Sequence, residues 1–506
     1  MRNRFPPLRV DFFWEIWYSK TSKCYAVRCG SLDRTLVRRM RRRLRLKGMI
    51  SQLMSVLIRN GLLIDPRNQV QAKLNLLLRD GKVAAVTPEE PEADQVIDAA
   101  GKVVAPGFVD IHMHEDPVGP DGRLVRDDAT AIFSCMLRMG VTTVLAGQCG
   151  LNQSDPGDYL DLIDRDGAAV NVAMLAGHAY IRESCGHLDK YTPVSEEELQ
   201  RMEAAFAKAL DRGCFGISYG IRYVPGIDRR ELERTAAVCR AQDKLIAAHI
   251  RSDAAEVFDA AREFLDVGVA LDLPVQVSHI GSMAGFGQME EFLRLVDTYR
   301  MNGLRVSCDC YPYYAFSTTL GSTTYDEGWL ERYHCGYDVV ELCEGKYKGQ
   351  RCTKEIFDEV RRDQPECLTV CYVMKEADVD MALRHPGVML GSDGIMNYGQ
   401  GHPRAAGSFP RLLAQFVRTG KLSLYEAVRM MTAMPADKLG LARKGSLQVG
   451  ADADVVIFDP ERVQDHATFD RPTAPGEGID YVFLGGELAA RDCRVVRGDL
   501  GRSVRK

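Results

Sequence analysis

The sequence predicts an α/β fold in two parts, a (β/α)8 TIM-like barrel and a small β-sandwich domain formed by the N- and C-terminal strand-rich segments. Three observations carry this expectation. The chain has 506 residues, room for a barrel of ~250 to over 400 residues with an accessory domain. After Gly107, apolar strand-like runs alternate with amphipathic helical stretches, the rhythm of parallel βα units. Toward both ends, short β-rich runs instead alternate with turn signals. The expected division is 1–53 as a basic N-terminal extension, 54–105 and 442–500 as one composite β domain, and 106–441 as the barrel.

From Met54 the strand-rich runs are MSVLIRNGLLID, then LNLLLRDGKVAAV with Asp80-Gly81 at a hairpin, then VIDAAGKVVAPG. Within the βα part, Ser195 and Glu198 form an S-x-x-E capping box. Leu199, Met202, Phe206 and Leu210 then recur at three or four residues and make one helical face apolar. Gly213 ends that helix, CFGISYG reads as a strand, and YVPG turns the chain. VTTVLAG, NVAMLAG, KLIAAHI, PVQVSHI, RVSCDCYPY and VMLGSD are further strand candidates. Most end in a polar or titratable residue, where barrel enzymes keep their chemistry. Near Gly445 the turn-rich rhythm returns in KGSLQVGADADVVIFD and YVFLGGELAARDCRVVRG.

Hydrophobic residues make up 46% and charged residues 27%, the balance of a soluble globular protein. A net charge of −5 gives no ground for a nucleic-acid or anionic-membrane partner. The 15 cysteines are scattered, so reduced, buried thiols are expected rather than a disulfide framework. No apolar run reaches roughly 18 residues, the length of a membrane span. Residues 1–53 carry Arg38, Arg39, Arg41, Arg42, Arg43, Arg45 and Lys47 but lack the parts of a secretory signal. They are expected to be disordered or an over-called start, with a transit peptide or basic arm as the alternative. A cytoplasmic location is expected.

Candidate chemistry sits at the strand ends. FVDIHMHED holds His112 and His114 two apart, a spacing that puts both on one face of a strand. His249 in IAAHIR and His279 in VQVSHIG also close apolar runs, so four of the ten histidines occupy such ends. Cys149 in LAGQCG ends another run, and its thiolate is a zinc ligand compatible with imidazoles. Asp393 in VMLGSDG ends the last, where a carboxylate binds metal or takes a proton from metal-bound water. Zinc lowers the pKa of its water from roughly 15.7 to about 7, provided one coordination position stays open.

The ordered set HMHED, GQCG, GHAYIR, ISYGIRYVPG, HIR, SHI, DCYPY, GSDG, HPRAAGSFPR and KGSLQVGADADVVIFDP resembles the D-aminoacylase (N-acyl-D-amino-acid deacylase) branch of the amidohydrolase superfamily. The resemblance covers roughly residues 54–500, and the number and order of the motifs make it specific. It implies the two-part fold, with 106–441 as a metal-dependent hydrolase barrel. It also implies zinc-dependent hydrolysis of the amide of an N-acyl-D-amino acid or similar N-acylated small molecule, giving a carboxylate and a free amine. In that likeness Cys149, His249 and His279 hold a tightly bound Zn2+. His112 and His114 form a second, weaker position that Cys149 is able to bridge, and Asp393 is the general base and then the acid. A carboxylated lysine bridges the metals of hydantoinase-type enzymes; here that place falls to Cys149. A cyclic-amide hydrolase and a catalytically silent scaffold are the rival readings.

The family's carboxylate-binding groups match Tyr311, Ser317 and Arg404, of which Arg404 offers a forked cationic donor. The family usually has a lysine two residues after the second metal histidine, where this chain has Gly281. His178, Arg222 and Tyr223 are candidate pocket residues, with loop formation as the competing role. Asp116 is expected to cap the next helix or support the histidines. Cys308 and Cys310 are expected to pack, His402 belongs to the HPRAAGSFPR motif, and His385 has no claim on the site.

Overall fold

A computed structural model describes residues 55–506; the expectations for 1–53 concern residues outside this range. Seven short strands come first: β1 (Val56–Arg59), β2 (Leu62–Asp65), β3 (Val70–Lys73), β4 (Asn75–Arg79), β5 (Lys82–Thr87), β6 (Gln95–Asp98) and β7 (Val103–Pro106). Asp80 (φ 51°) and Gly81 (φ 72°) make the two-residue turn between β4 and β5, the left-handed pair that a tight hairpin requires. The strands β8 (Phe108–Asp110), β9 (Val141–Ala146), β10 (Asn171–Met174), β11 (Ala176–Gly177), β12 (Gly216–Gly220), β13 (Leu245–His249), β14 (Val275–Val277) and β15 (Val306–Cys310) follow, most of them separated by helices. Then come β16 (Phe316–Thr319), β17 (Val340–Leu342), β18 (Leu368–Cys371), β19 (Val388–Leu390), β20 (Met396–Asn397) and β21 (Gln400–Gly401). The last strands are β22 (Val455–Phe458), β23 (Ile479–Leu484), β24 (Glu487–Arg491) and β25 (Arg494–Val495).

A seven-stranded sheet ordered β25-β24-β23-β22-β7-β2-β3 unites strands from both ends of the described chain. A four-stranded sheet, β5-β4-β1-β6, faces it. Val56, Ile58, Leu76 and Leu78 of the smaller sheet share one apolar cluster with Val104, Val455, Ile457 and Phe483 of the larger. The intervening residues Val103, Val456 and Phe458 belong to the main core. Period-two alternation thus lets β7 and β22 bury both faces, one toward each layer.

Two sheets are wholly parallel, β10-β9-β8 and β11-β12-β13-β14-β15-β19. Leu145, Ala173, Ala247 and Met389 converge in one inner cluster, while their neighbours Val144, Val172, Ile246 and Val388 pack outward. Helices cover that outward side. The helix Glu196–Asp211 starts at a capping box made by Ser195 and Glu198, and Leu199, Met202, Phe206 and Leu210 are its buried stripe. Past β8 and β19 the chain continues to pair. Asp393 N donates to His112 O (2.7 Å), His114 N donates to Gly394 O (2.9 Å), and Met113 bridges Gly394 in parallel.

Between β15 and β19 the chain builds a small antiparallel sheet, β16-β18-β17. It packs over an aromatic cluster in which Trp329 stacks on Phe357 at 5.3 Å. The sequence pattern carries no separate signal for it, because its three- and four-residue strands are too short for a period to show. Among the described residues no helix is long and apolar enough to cross a membrane.

Asp65 fastens the two ends of the described chain together. Its Oδ2 accepts from Leu447 N (2.7 Å), the Ser446 hydroxyl (3.2 Å) and Asn68 Nδ2 (2.7 Å), with the side chain buried. Asp65→Ala strands the Leu447 amide and is expected to cost about 1–3 kcal/mol. An unchanged denaturant midpoint would contradict this.

Candidate metal centre

Five strand ends deliver the site. His112 and His114 follow β8, Cys149 follows β9, His249 ends β13, His279 follows β14, and Asp393 follows β19. Cys149 (φ 54°), His279 (φ 33°) and Asp393 (φ 49°) all adopt left-handed backbone, which costs a non-glycine residue of order 1–3 kcal/mol. At each, the chain turns sharply and sends the side chain back over the strand ends.

The donors meet. Cys149 Sγ lies 3.4 Å from His279 Nε2 and 3.5 Å from His112 Nε2. Asp393 Oδ1 lies 3.4 Å from both His112 Nε2 and His114 Nε2. Two sets emerge, Cys149/His249/His279 and His112/His114/Cys149/Asp393, each with ligand atoms within 4.8 Å of one another. All six residues are buried, and Cys149 belongs to both sets.

The electrostatics suit a cation. Burial pushes the Cys149 thiol up, but the His279 and His112 imidazoles outweigh it and hold the group well below the usual thiol range. Burial likewise raises Asp393, yet Arg404, His279 and hydrogen bonds from His112 and His114 keep it well below the usual carboxylate range. Burial, reinforced by His279, holds His249 down to about 4, so its ring is neutral. His249 Nδ1 is buried with no hydrogen-bond partner, an unmet polar atom that a metal would satisfy. One thiolate with imidazoles is the donor chemistry zinc prefers; in the metal-free cluster burial pulls His114 down, but the neighbouring Asp393 carboxylate and Cys149 thiolate outweigh it and push the ring up to about 9.

The histidines are held from behind. Asp309 Oδ1 accepts from His279 N (2.8 Å) and sits 3.2 Å from His112 Nδ1, while Oδ2 accepts from Gln276 Nε2 (2.7 Å). Ser282 Oγ is 3.0 Å from His279 Nδ1. Such carboxylate and hydroxyl partners orient a ligating imidazole and raise its basicity. Beside the cluster opens a cavity of about 270 Å³ whose walls include His114, Cys149, Tyr223, Ser317, Asp393 and Arg404.

The model of the Amidohydrolase family matches residues 95–163 and 372–490. D-aminoacylase of Alcaligenes xylosoxydans xylosoxydans is 33% identical over 476 residues, covering 86% of this chain and 94% of that protein. The chain belongs to the D-aminoacylase family of amidohydrolases. Among solved structures, N-acyl-D-glutamate deacylase from Bordetella bronchiseptica, complexed with zinc and a phosphonate mimic of the tetrahedral intermediate, superposes with a TM-score of 0.79 at 31% identity. That match covers 90% of this chain and all of the other. A D-aminoacylase with a binuclear metal centre gives a TM-score of 0.80 at 29% identity, over 89% of this chain and 99% of that one.

Other residues of this family member lie as follows. Arg404 is buried, its Nη1 2.8 Å from Asp393 Oδ2 and its guanidinium 4.7 Å above the Tyr311 ring. Tyr311 therefore sits beneath Arg404, with its hydroxyl directed at Met374 Sδ (3.9 Å). Ser317 Oγ is buried without a partner. The Tyr223 ring lies 4.6 Å from that of His249. His402 accepts from Arg404 N through Nδ1 (3.0 Å) and so steadies the arginine.

One expectation is corrected. His178 is no pocket residue: it is fully buried on the helix side, Nε2 3.0 Å from Glu231 Oε1, its ring flanked by Tyr219 and Phe206. Arg222 lines a cavity of about 970 Å³ that shares Thr323 with the one beside the cluster. Tyr223 N and Val224 N both turn back onto Gly220 O. Asp116 accepts from Ile132 N (2.7 Å) and Phe133 N (2.9 Å), capping the helix Ile132–Arg138. His385 pairs with Asp297 (3.0 Å). Cys308 and Cys310 are buried thiols pushed up by desolvation.

Asp309 and Lys190, which lines the 270 Å³ cavity, escape a reading of the sequence. In RVSCDCYPY the flanking cysteines draw attention, although a lone carboxylate inside an apolar strand is itself a signal. Asp309→Asn is expected to weaken zinc binding by about 10–100-fold, measured by titrating chelator-stripped protein; unchanged affinity would refute the role.

Proposed function

We propose that this chain hydrolyses the amide bond of N-acyl-D-amino acids, releasing a carboxylate and a free amine, with Zn2+ held by Cys149, His249 and His279. His112 and His114 form a second, weaker position that shares Cys149. The reading rests on one observation above others: Cys149 Sγ, 3.4 Å from His279 Nε2, is common to two donor sets that meet beside an ionised Asp393. The relationship to D-aminoacylase and to a zinc-bound N-acyl-D-glutamate deacylase supports the substrate class.

The scaffold reading is a (β/α)8 barrel made of eight strands: β8, β9, β10 continued as β11, β12, β13, β14, β15 and β19. Leu175 joins β10 to β11 while donating to Ala146 O (2.9 Å), and the Met113/Gly394 bridge brings the two outermost strands together. Residues 54–105 and 442–500 then form the composite β-sandwich domain and 106–441 the barrel. The shared cluster of the two flanking sheets supports that division. The thirteen cysteines of the described residues carry free thiols, which supports a reducing, cytoplasmic location.

Bound zinc supplies a Lewis acid for the scissile carbonyl and a water whose pKa falls toward neutrality. The chain's own groups do the rest. Asp393, kept ionised by Arg404 and the neighbouring imidazoles, accepts the water's proton at Oδ1 and returns it to the leaving nitrogen. Arg404 and the unpartnered Ser317 hydroxyl face the cavity as donors for the substrate's α-carboxylate. Tyr311 backs the arginine, and Gly281 leaves no second cation beside it. A Cβ at position 281 would meet Cys310 Sγ at 3.0 Å and Met374 Cε at 3.2 Å, so a lysine there requires those neighbours to shift.

Asp393→Asn is expected to lower kcat on the best N-acetyl-D-amino acid by roughly 10²–10⁴-fold; activity kept within a few-fold would overturn the mechanism. Arg404→Met is expected to cut kcat/KM by roughly ten- to a hundredfold, raising KM through loss of the carboxylate donor and lowering kcat through loss of the charge that holds Asp393 ionised. A panel that includes hydantoins and dihydropyrimidines decides between linear and cyclic amides: faster turnover of the cyclic compounds would overturn the substrate reading.

A further inference from the structure

Glu115 directly follows His114, is buried, and takes no part in the cluster of donors. Its carboxylate meets the loop after β9. Oε2 accepts from Gly147 N (3.0 Å), and Oε1 accepts from Gln153 N (2.9 Å) and Asn152 Nδ2 (3.4 Å). One side chain therefore bonds both ends of the 147–153 loop, with Cys149 between them in a left-handed conformation (φ 54°).

Asn152 extends the clamp to the neighbouring strand: Nδ2 donates to Leu175 O (3.2 Å) and Oδ1 accepts from Gly177 N (2.7 Å). Ser218 grips the same loop, donating to Gly147 O and accepting from Gly150 N (3.1 Å). Gly147 has no room for a side chain, since a Cβ would fall 2.2 Å from Leu175 O. Backbone strain of order 1–3 kcal/mol at a single residue persists only where its surroundings over-determine it, and around Cys149 the buried charged group that does so is Glu115.

We infer that Glu115 is a positioning residue that fixes the Cys149 thiolate for both metal positions, linking the strand end that carries His112 and His114 to the thiolate they share. The inference rests on the reading that Cys149 holds zinc. It separates two roles for neighbouring acids: Asp116 caps a helix, whereas Glu115 sets the geometry of a ligand.

The test uses the full chain, stripped with a chelator and reloaded with zinc or cobalt(II). Glu115→Gln preserves size and removes the charge; Glu115→Asp keeps the charge and shortens the reach. In Glu115→Gln, zinc affinity from competition with a chromophoric chelator is expected to fall about 10–100-fold. The near-ultraviolet thiolate-to-cobalt absorption at saturation is expected to weaken or shift, while the metal-free protein unfolds within a few degrees of the parent. Glu115→Asp is expected to recover part of both signals. Zinc affinity within twofold of the parent, or a cobalt spectrum at saturation identical to the parent's, overturns the inference. If Glu115→Gln does not fold, the same two measurements on Asn152→Ala decide, because that change loosens the other end of the clamp. Failure of the metal reading looks different: the parent itself takes up no zinc, or Cys149→Ser binds it as tightly as the parent.

Discussion

The Cys149 thiolate is the constraint on which the rest of the site depends. It lies within 3.5 Å of two imidazole nitrogens contributed by different strand ends. Burial alone would drive the group toward its neutral thiol, so the surrounding imidazoles must supply the compensation. The same residue completes both donor sets. A buried group that serves two positions has little freedom to move for either, which explains why so many hydrogen bonds converge on the short loop that carries it.

The protein meets that demand by stacking layers of support. The parallel sheets bring the ends of β8, β9, β13, β14 and β19 side by side. Left-handed turns at Cys149, His279 and Asp393 bend the chain back on itself. Buried acids stand behind the ligands: Asp309 behind His112 and His279, and Asp110 accepting from His112 N and Ser392 N, both at 3.0 Å. Burial pushes Asp110 up to about 7 against the pull of its backbone donors, so those donors only partly offset the cost of a buried anion there. Charges this deep are expensive unless paired or hydrogen-bonded, and here each acid either binds backbone amides or faces an imidazole.

In the proposed mechanism Arg404 connects catalysis with recognition. Its guanidinium neutralises Asp393 Oδ2 at 2.8 Å while remaining on the cavity wall, and His402 and Tyr311 hold it in place. Position 281, a glycine whose surroundings are filled by Cys310 and Met374, adds no cation beside this arginine. Lys190 stands elsewhere on the same cavity wall.

The sequence by itself determined the local features whose cause is local. The Ser195/Glu198 box and its apolar stripe, the Asp80-Gly81 turn, the H-x-H pair and the polar ends of the strand candidates follow from periodicity and capping chemistry, which act over a few residues. The resemblance in motif order extended that reading to a shared donor set. Tertiary structure alone decided which donors meet, since Cys149 and His279 stand 130 residues apart and follow strands of two different parallel sheets, so only the packing of those sheets against each other makes them neighbours. It also decided which way side chains face: His178 turned to the helix layer, Asp309 inward. A strand's period fixes that successive residues face opposite ways, but which side is the interior depends on what packs there, and that is a property of the assembled sheets.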